Sequence, residues 1–334
     1  MKFLDTIRRK LTPPLLHSTA EKVWKNGRTL EDLERAVRNM QEAVGRIEAR
    51  QTDTPVTDPG PEDLQSREFR VFSQWGEDGI IKHLMRHAVV PRKVFVEFGV
   101  EDYTEANTRF LLTAANWSGL VMDGDAANIQ RICSSHDYWT HNLKAQHAFI
   151  TAENINQLLH EAGVTGKIGL LSVDVDGMDY WIWRAIDAIE PAIVVCEYNH
   201  RFGSEQSVTV PYDPAFNRRD AHHSLIYYGA SIRALVELAD EKDYAFLGCG
   251  SHGLNAFFVH RGAMTPALRE VSVEEGFVPG QFCETHDEAG NRVRTTLAQE
   301  QAQLAKLPLV DLHAEDPGTP TRRRAPSGNG RVHA

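Results

Sequence analysis

The 334-residue chain has few cysteines, no excess of positive charge and no long apolar run. Its four cysteines, Cys133, Cys196, Cys249 and Cys283, are widely scattered and lack the paired spacing of metal or redox sites. That pattern fits reduced thiols and a cytoplasmic setting. No stretch of 18 apolar residues exists to cross a membrane, and the first residues lack a secretion signal's long apolar segment, so a soluble protein is expected. With 36 basic residues against 46 acidic ones the net charge is -10, and no phosphate-neutralising surface is on offer; nucleic acid is therefore not an expected partner.

The ends differ from the middle. Phe3, Leu4, Ile7 and Leu11 beside Lys2, Arg8, Arg9 and Lys10 make a short basic amphipathic turn that Pro13-Pro14 stops. A piece this short binds lipid poorly alone and suits at most a weak membrane-surface contact. Leu30, Leu33, Val37, Met40, Val44 and Ile47 then alternate spacings of three and four, the seam of a left-handed coiled coil. The run is shorter than the three or four heptads usual for such a coil. It predicts either self-association or packing back on its own domain, with a homo-oligomer through residues 30–47 the favoured outcome. Residues 1–50 thus form a helical extension and residues 51–65, rich in Thr, Pro, Asp and Gly, a linker. The globular domain covers 66–312. Residues 313–334, polar and Pro/Gly-rich with Arg322-Arg323-Arg324, form an expected disordered tail.

Between these ends strands and helices alternate. Strands are predicted at Val94–Phe98, Gly119–Asp123, Gln146–Ile150, Gly169–Asp174 and Ala192–Tyr198, with helices at residues 154–161, 180–189 and 231–242. This is an α/β protein with a doubly wound, mostly parallel sheet. Two further strands, Tyr244–Gly248 and Asn255–His260, are joined by a connection too short for a crossover helix and must pair antiparallel. Seven strands closing in an antiparallel hairpin are the sheet of class I methyltransferases, whereas a nicotinamide-dependent oxidoreductase, an alternative reading of the alternating pattern, would normally continue with parallel crossovers.

Three acidic strand ends mark the candidate site. Lys93-Val-Phe-Val-Glu-Phe-Gly-Val-Glu-Asp102 reads as a buried strand entering an acidic, glycine-broken loop. About 24 residues further on, Leu120-Val-Met-Asp-Gly-Asp125 ends a second strand at roughly the spacing of a ribose-binding carboxylate, which suggests an adenosine cofactor. Asp123 is the first choice for that role, with Asp125 either sharing it or capping the next helix. The third end, Leu170-Leu-Ser-Val-Asp-Val-Asp-Gly-Met-Asp179, lies where cofactor and acceptor would meet. Asp174 and Asp176, with Glu197 at the next strand end, form a candidate oxygen-ligand set for Mg²⁺ if the chain turns so that they converge; otherwise Asp176 caps a helix.

Glu97-Phe-Gly99 resembles the first motif of S-adenosylmethionine-dependent methyltransferases. Asp174-Val-Asp-Gly-Met-Asp179 resembles the Lys-Ile-Asp-Val-Glu-Gly-Ala-Glu motif of FkbM-type methyltransferases, as does the segment from Leu111 to Asp123. Ser73-Gln-Trp-Gly-Glu-Asp78, Tyr227-Tyr-Gly-Ala-Ser231 and Asn255-Ala-Phe-Phe258 are similar to patterns of a bacterial branch of that group. The resemblance covers residues 73–261. It implies S-adenosyl-L-methionine held by Glu97, Gly99, Asp102, Asp123, Asp125 and Asp174, and O-methylation of a sugar hydroxyl of a polysaccharide, glycolipid or glycosylated metabolite. The chain departs from the pattern at Ser172, where relatives often carry Lys, and in a first loop with a single glycine whose Val100 and Glu101 would crowd the cofactor. That departure is the basis of a second reading, a degenerate methyltransferase-fold scaffold or regulator. An alcohol needs a base or a metal to become a nucleophile. The long stretch 200–228 supplies His222 and His223 as candidate general bases beside Asp174, and His200, Arg201, Tyr227 and Tyr228 as candidate acceptor contacts. Arg218 and Arg219 could clamp an anionic group on the acceptor.

Overall fold

A computed structural model describes residues 14–51, 61–282 and 284–314. The basic turn at residues 1–11, most of the expected linker and most of the expected tail lie outside the described residues.

Seven strands form one twisted sheet: β1 Val94–Phe98, β2 Ser118–Asp123, β3 Leu143–His147, β4 Gly166–Val173, β5 Ile189–Glu197, β7 Tyr244–Cys249 and β8 Asn255–His260. Their order is β3-β2-β1-β4-β5-β8-β7, with β6 (Val208–Thr209) pairing with β9 (Val310–Asp311) in a separate two-stranded ribbon. The pairs from β3 to β5 are parallel, while β8 lies antiparallel to both β5 and β7. The expected class I methyltransferase sheet is therefore present. Because β-strand side chains alternate, the strands feed two cores: Val96, Phe98, Leu171, Val173 and Val194 face one way, and Phe95, Val121, Leu170, Ile193 and Val195 the other.

The register differs from expectation at one strand. Pairing of β3 with β2 runs from Gly119↔Leu143 to Asp123↔His147 and ends there, because β2 itself ends at Asp123. Phe149 and Ile150, read from the sequence as strand residues, instead leave the sheet. The helix expected over 180–189 is Asp179–Ala185; residues 186–188 are a connection, and Ile189 opens β5.

The Ser73–Asp78 motif ties the entry of the chain to the sheet. One Asp78 oxygen, Oδ2, accepts the amides of Val71, Phe72 and Ser73, each at 2.8 Å, and the Ser73 hydroxyl at 2.9 Å. Glu77 accepts the amides of Trp75 and Gly76 and the side-chain amide of Asn255 at 3.0 Å, linking this loop to β8. Burial pushes the Asp78 carboxyl up to about 6 against those hydrogen bonds.

A helix runs unbroken over Pro14–Gln51. It packs on the globular body through small residues: Ala49 joins Phe69, Val71, Phe72 and Phe110, and a Cβ on Gly45 would fall 2.4 Å from a Val71 methyl. Arg38 meets Asp137 at 3.5 Å, and Lys82 donates to the Ala49 carbonyl. The heptad seam is not what packs. The end of the expected linker also differs, since Pro61–Ser66 is helical.

Candidate functional site

The parallel strands all end on one edge of the sheet, and the chain after each strand builds a cavity of about 610 Å³ there. One wall comes from the ends of β1, β2 and β3. Gly99 sits at φ 68°, and a Cβ on it would lie 1.6 Å from the Asp174 carbonyl, so only glycine lets the loop after β1 pass the end of β4. Asp123 is buried and organises this wall. Its Oδ2 accepts the Glu101 amide at 2.8 Å, and its Oδ1 accepts the Asp125 amide at 2.8 Å and the Asn128 side-chain amide at 3.1 Å. A carboxylate has about four acceptor positions, so Asp123 keeps room for one further donor from the cavity. Asp125 caps the helix Ala126–Ser134 through the Ala127 amide at 2.7 Å and still lines the cavity with its exposed side chain. Val100 does not crowd this wall: it is buried in the core, and of the two only Glu101 faces the cavity.

The opposite wall comes from the end of β4 and the segments that follow β5. Here Asp174, Asp179 and Glu197 bring one carboxylate oxygen each within 4.8 Å of the others. The expected trio had Asp176 in place of Asp179. The chain turns sharply after Asp174, with Asp176 at φ 54° and Gly177 at φ 133°, so Asp176 swings out to meet Arg218 at 3.3 Å. Asp179, at the start of helix Asp179–Ala185, folds back and accepts the Val175 and Gly177 amides at 2.9 and 3.0 Å. The Asp-Gly pair at 176–177 was the sequence signal for that turn. Burial, then the charges of Asp179 and Asp176, holds Asp174 well above the usual carboxylate range; burial, then Asp174 and Asp179, does the same to Glu197, and burial lifts Asp179 to about 6. Glu197 Oε2 is buried with no hydrogen-bond partner among the described residues.

Arg218 spans this wall. It donates to the Leu225 carbonyl at 2.7 Å and to Glu284 at 2.6 Å, and its guanidinium lies 3.8 Å from the centroid of the Tyr228 ring. Arg219, Glu284, His286, Arg292 and Phe216 complete a polar surface with one aromatic face.

Several expected site residues stand elsewhere. Glu97 is buried behind the cavity, accepting the Asn107 amide at 2.8 Å and the Thr108 amide at 3.1 Å, and burial lifts it to about 7. It braces the loop after β1 and does not line the cavity. Asp102 closes a local turn onto Thr104, outside the lining. His222 and His223 stack on each other at 4.2 Å, with His222 bonded to Ser224 at 2.7 Å, and neither reaches the cavity wall. Burial, then His223, holds His222 below the ordinary imidazole range.

The four acceptor candidates, His200, Arg201, Tyr227 and Tyr228, are all buried in the stretch 200–228, where the sequence suggested an open lid. Arg201 is buried against Glu300 at 2.6 Å; His200 packs on Phe282, and burial pushes its ring down to about 4. The Tyr227 hydroxyl donates to the Pro308 carbonyl at 2.6 Å, and Tyr228 lies fully buried under Arg218. Ser172, at the place where the resembling family often has Lys, is buried and meets the Asn107 side chain at 3.1 Å. Phe149 was not foreseen as a site residue. It is 55% exposed and lines the cavity beside Gly124, an uncommon place for a large aromatic residue.

No protein-family model matches the chain, and no curated protein matches it. Solved structures similar in shape include an O-methyltransferase from Bacillus cereus in complex with SAH, 13% identical, covering 66% of this chain and 89% of that one, with a TM-score of 0.32. The N-terminal domain of EvdMO1, in the presence of SAH and D-fucose, is 12% identical over 66% of this chain and 95% of that one, with a TM-score of 0.36. PKMT2 from Rickettsia typhi in complex with AdoHcy is 10% identical over 62% of this chain and 57% of that one, with a TM-score of 0.39. The fold assignment rests on the strand order and directions.

Proposed function

We propose that the chain is an S-adenosylmethionine-dependent O-methyltransferase whose acceptor is a hydroxyl of a sugar or other polyol. The observation that carries this reading is the joining, in one cavity, of a glycine-and-carboxylate wall with a cluster of proton-retaining carboxylates. The first wall fits the cofactor's chemistry: Asp123 has acceptor capacity for a ribose hydroxyl, Asp125 adds a second exposed carboxylate, and Phe149 offers a flat apolar face to a purine. Gly99 lets the loop after β1 pass the end of β4 on its way to this wall. When bound, the cofactor supplies a sulfonium methyl group for transfer to an oxygen nucleophile.

On the second wall, Asp174 is the carboxylate placed to take the proton from an acceptor hydroxyl, since burial beside other carboxylates makes its ionised form more basic than usual. Asp174 faces the cavity, with Glu197 and Asp179 behind it. The same donors fit a hard divalent cation, because all are oxygens and Glu197 Oε2 is an orphaned buried acceptor. Such a cation, held by Asp174, Asp179 and Glu197, would supply Lewis acidity to the acceptor oxygen. Arg218, fixed from three sides, orients the acceptor beside Asp174, and the mixed Arg, Glu and His surface around it suits a ligand rich in hydroxyl groups.

Calorimetric titration with S-adenosylhomocysteine, with NADH as control, tests the cofactor. Micromolar binding of the first and none of the second is expected, and a folded protein that binds neither would return the chain to the scaffold reading. Transfer of labelled methyl groups to a panel of free sugars, nucleotide sugars and glycosides, with and without Mg²⁺, then tests the acceptor class.

A further inference from the structure

The helix Pro14–Gln51 carries its apolar seam on the side away from the protein. Leu33, Val37, Met40, Val44 and Ile47 are 49% to 60% exposed, although five large apolar residues on one stripe would ordinarily be covered. The residues that fasten the helix to the body, Arg38, Gly45 and Ala49, lie about 140° around the helix axis from that stripe at 100° per residue. The body therefore holds the helix still and leaves the seam free.

We propose that the seam is covered by the same helix of a second copy of this chain, forming a two-stranded coiled-coil dimer. Three observations favour a copy over another occupant. The stripe keeps a strict three-four spacing, with Val at the a positions 37 and 44 and Leu, Met and Ile at the d positions 33, 40 and 47, a self-complementary pattern that needs no different partner. The flanking positions oppose no like charges: parallel pairing sets Ala43 beside Glu48 and Ala36 beside Gln41, and antiparallel pairing sets Ala36 beside Ala43. The stripe exposes roughly 500 Å² of side chain per copy, so a symmetric pair buries on the order of 1,000 Å², the lower bound of a specific interface. A lipid surface suits this helix poorly. Residues 31–48 hold five acidic and three basic side chains, whereas an interfacial helix is rich in Lys and Arg.

Sedimentation velocity of the full chain between about 1 and 100 µM tests the proposal. The mass is expected to rise with concentration from 37.5 kDa to twice that value. The double variant Val37→Glu/Met40→Glu should stay at 37.5 kDa throughout with unchanged circular dichroism, because both side chains are exposed on the single chain. Val37→Ile/Val44→Ile, which adds apolar area at two a positions, should dimerise at several-fold lower concentration. A wild-type chain that remains monomeric at 100 µM, or a glutamate variant that still dimerises, would overturn the proposal.

Discussion

Replacing Glu197 with Gln should make the protein more stable and less active together. The carboxylate oxygens of Asp174, Asp179 and Glu197 lie within 4.8 Å of one another. At an effective dielectric near 20, two full charges at that distance repel by about 3.5 kcal/mol. The cluster avoids part of this cost by holding protons, so the gain on removing one charge lies below that figure. The Gln amide at the place of the orphaned Oε2 also becomes a donor beside Asp174. The pH dependence follows from the raised values. Native carboxyls here hold protons that the unfolded chain has already released, so stability is greatest in acid and falls as pH rises from about 4 through the folded values, by up to ~1.4 kcal/mol per pH unit for each proton concerned. Urea unfolding at pH 5 and pH 8 should therefore show the wild type losing more stability than Glu197→Gln. Millimolar Mg²⁺ should restore part of the wild-type loss at pH 8 and leave the variant unchanged. Equal pH dependence in the two proteins would refute the electrostatic account, and equal stabilisation by Mg²⁺ would remove Glu197 from the cation site.

Gly99→Ala should abolish binding of S-adenosylhomocysteine in calorimetry and lower the urea midpoint, because the new methyl group would fall 1.6 Å from the Asp174 carbonyl at a positive φ. Phe149→Ala should leave stability within about 0.5 kcal/mol, the side chain being exposed. The same change should weaken cofactor binding by about 1 to 3 kcal/mol if the ring stacks on a base, and an unchanged Kd would remove it from the purine site. Asp78→Ala leaves three buried amides without their acceptor and should cost about 3 kcal/mol or more in denaturant titration, with a loss below 1 kcal/mol contradicting the bracing role.

The sheet was legible from local pattern because β1, β2, β4 and β5 are apolar runs with acidic residues at their ends, and because the short link between β7 and β8 permits only antiparallel pairing. The cluster was less legible. Asp174 and Glu197 were recognisable as strand ends, but which third carboxylate joins them depended on the turn at Asp176-Gly177, whose handedness sends one aspartate outward and brings Asp179 back. The histidines and tyrosines of residues 200–228 looked like an open acceptor loop from composition. In the fold Arg201, His200 and Tyr227 are tied down by Glu300, Phe282 and the carbonyl of Pro308, partners 80 to 100 residues away in the chain.

Sequence alone determined what local chemistry dictates: the alternation of strands and helices, the antiparallel close, the glycine after β1 and the heptad spacing of the first helix. Tertiary structure decided what depends on distant partners: which carboxylates share a site, which titratable groups reach the cavity, and which face of the first helix packs. Gly45 and Ala49 allow the close approach to Val71 and Phe110 that larger seam side chains would prevent, and so that helix meets the body with its small residues and presents its heptad seam to solvent.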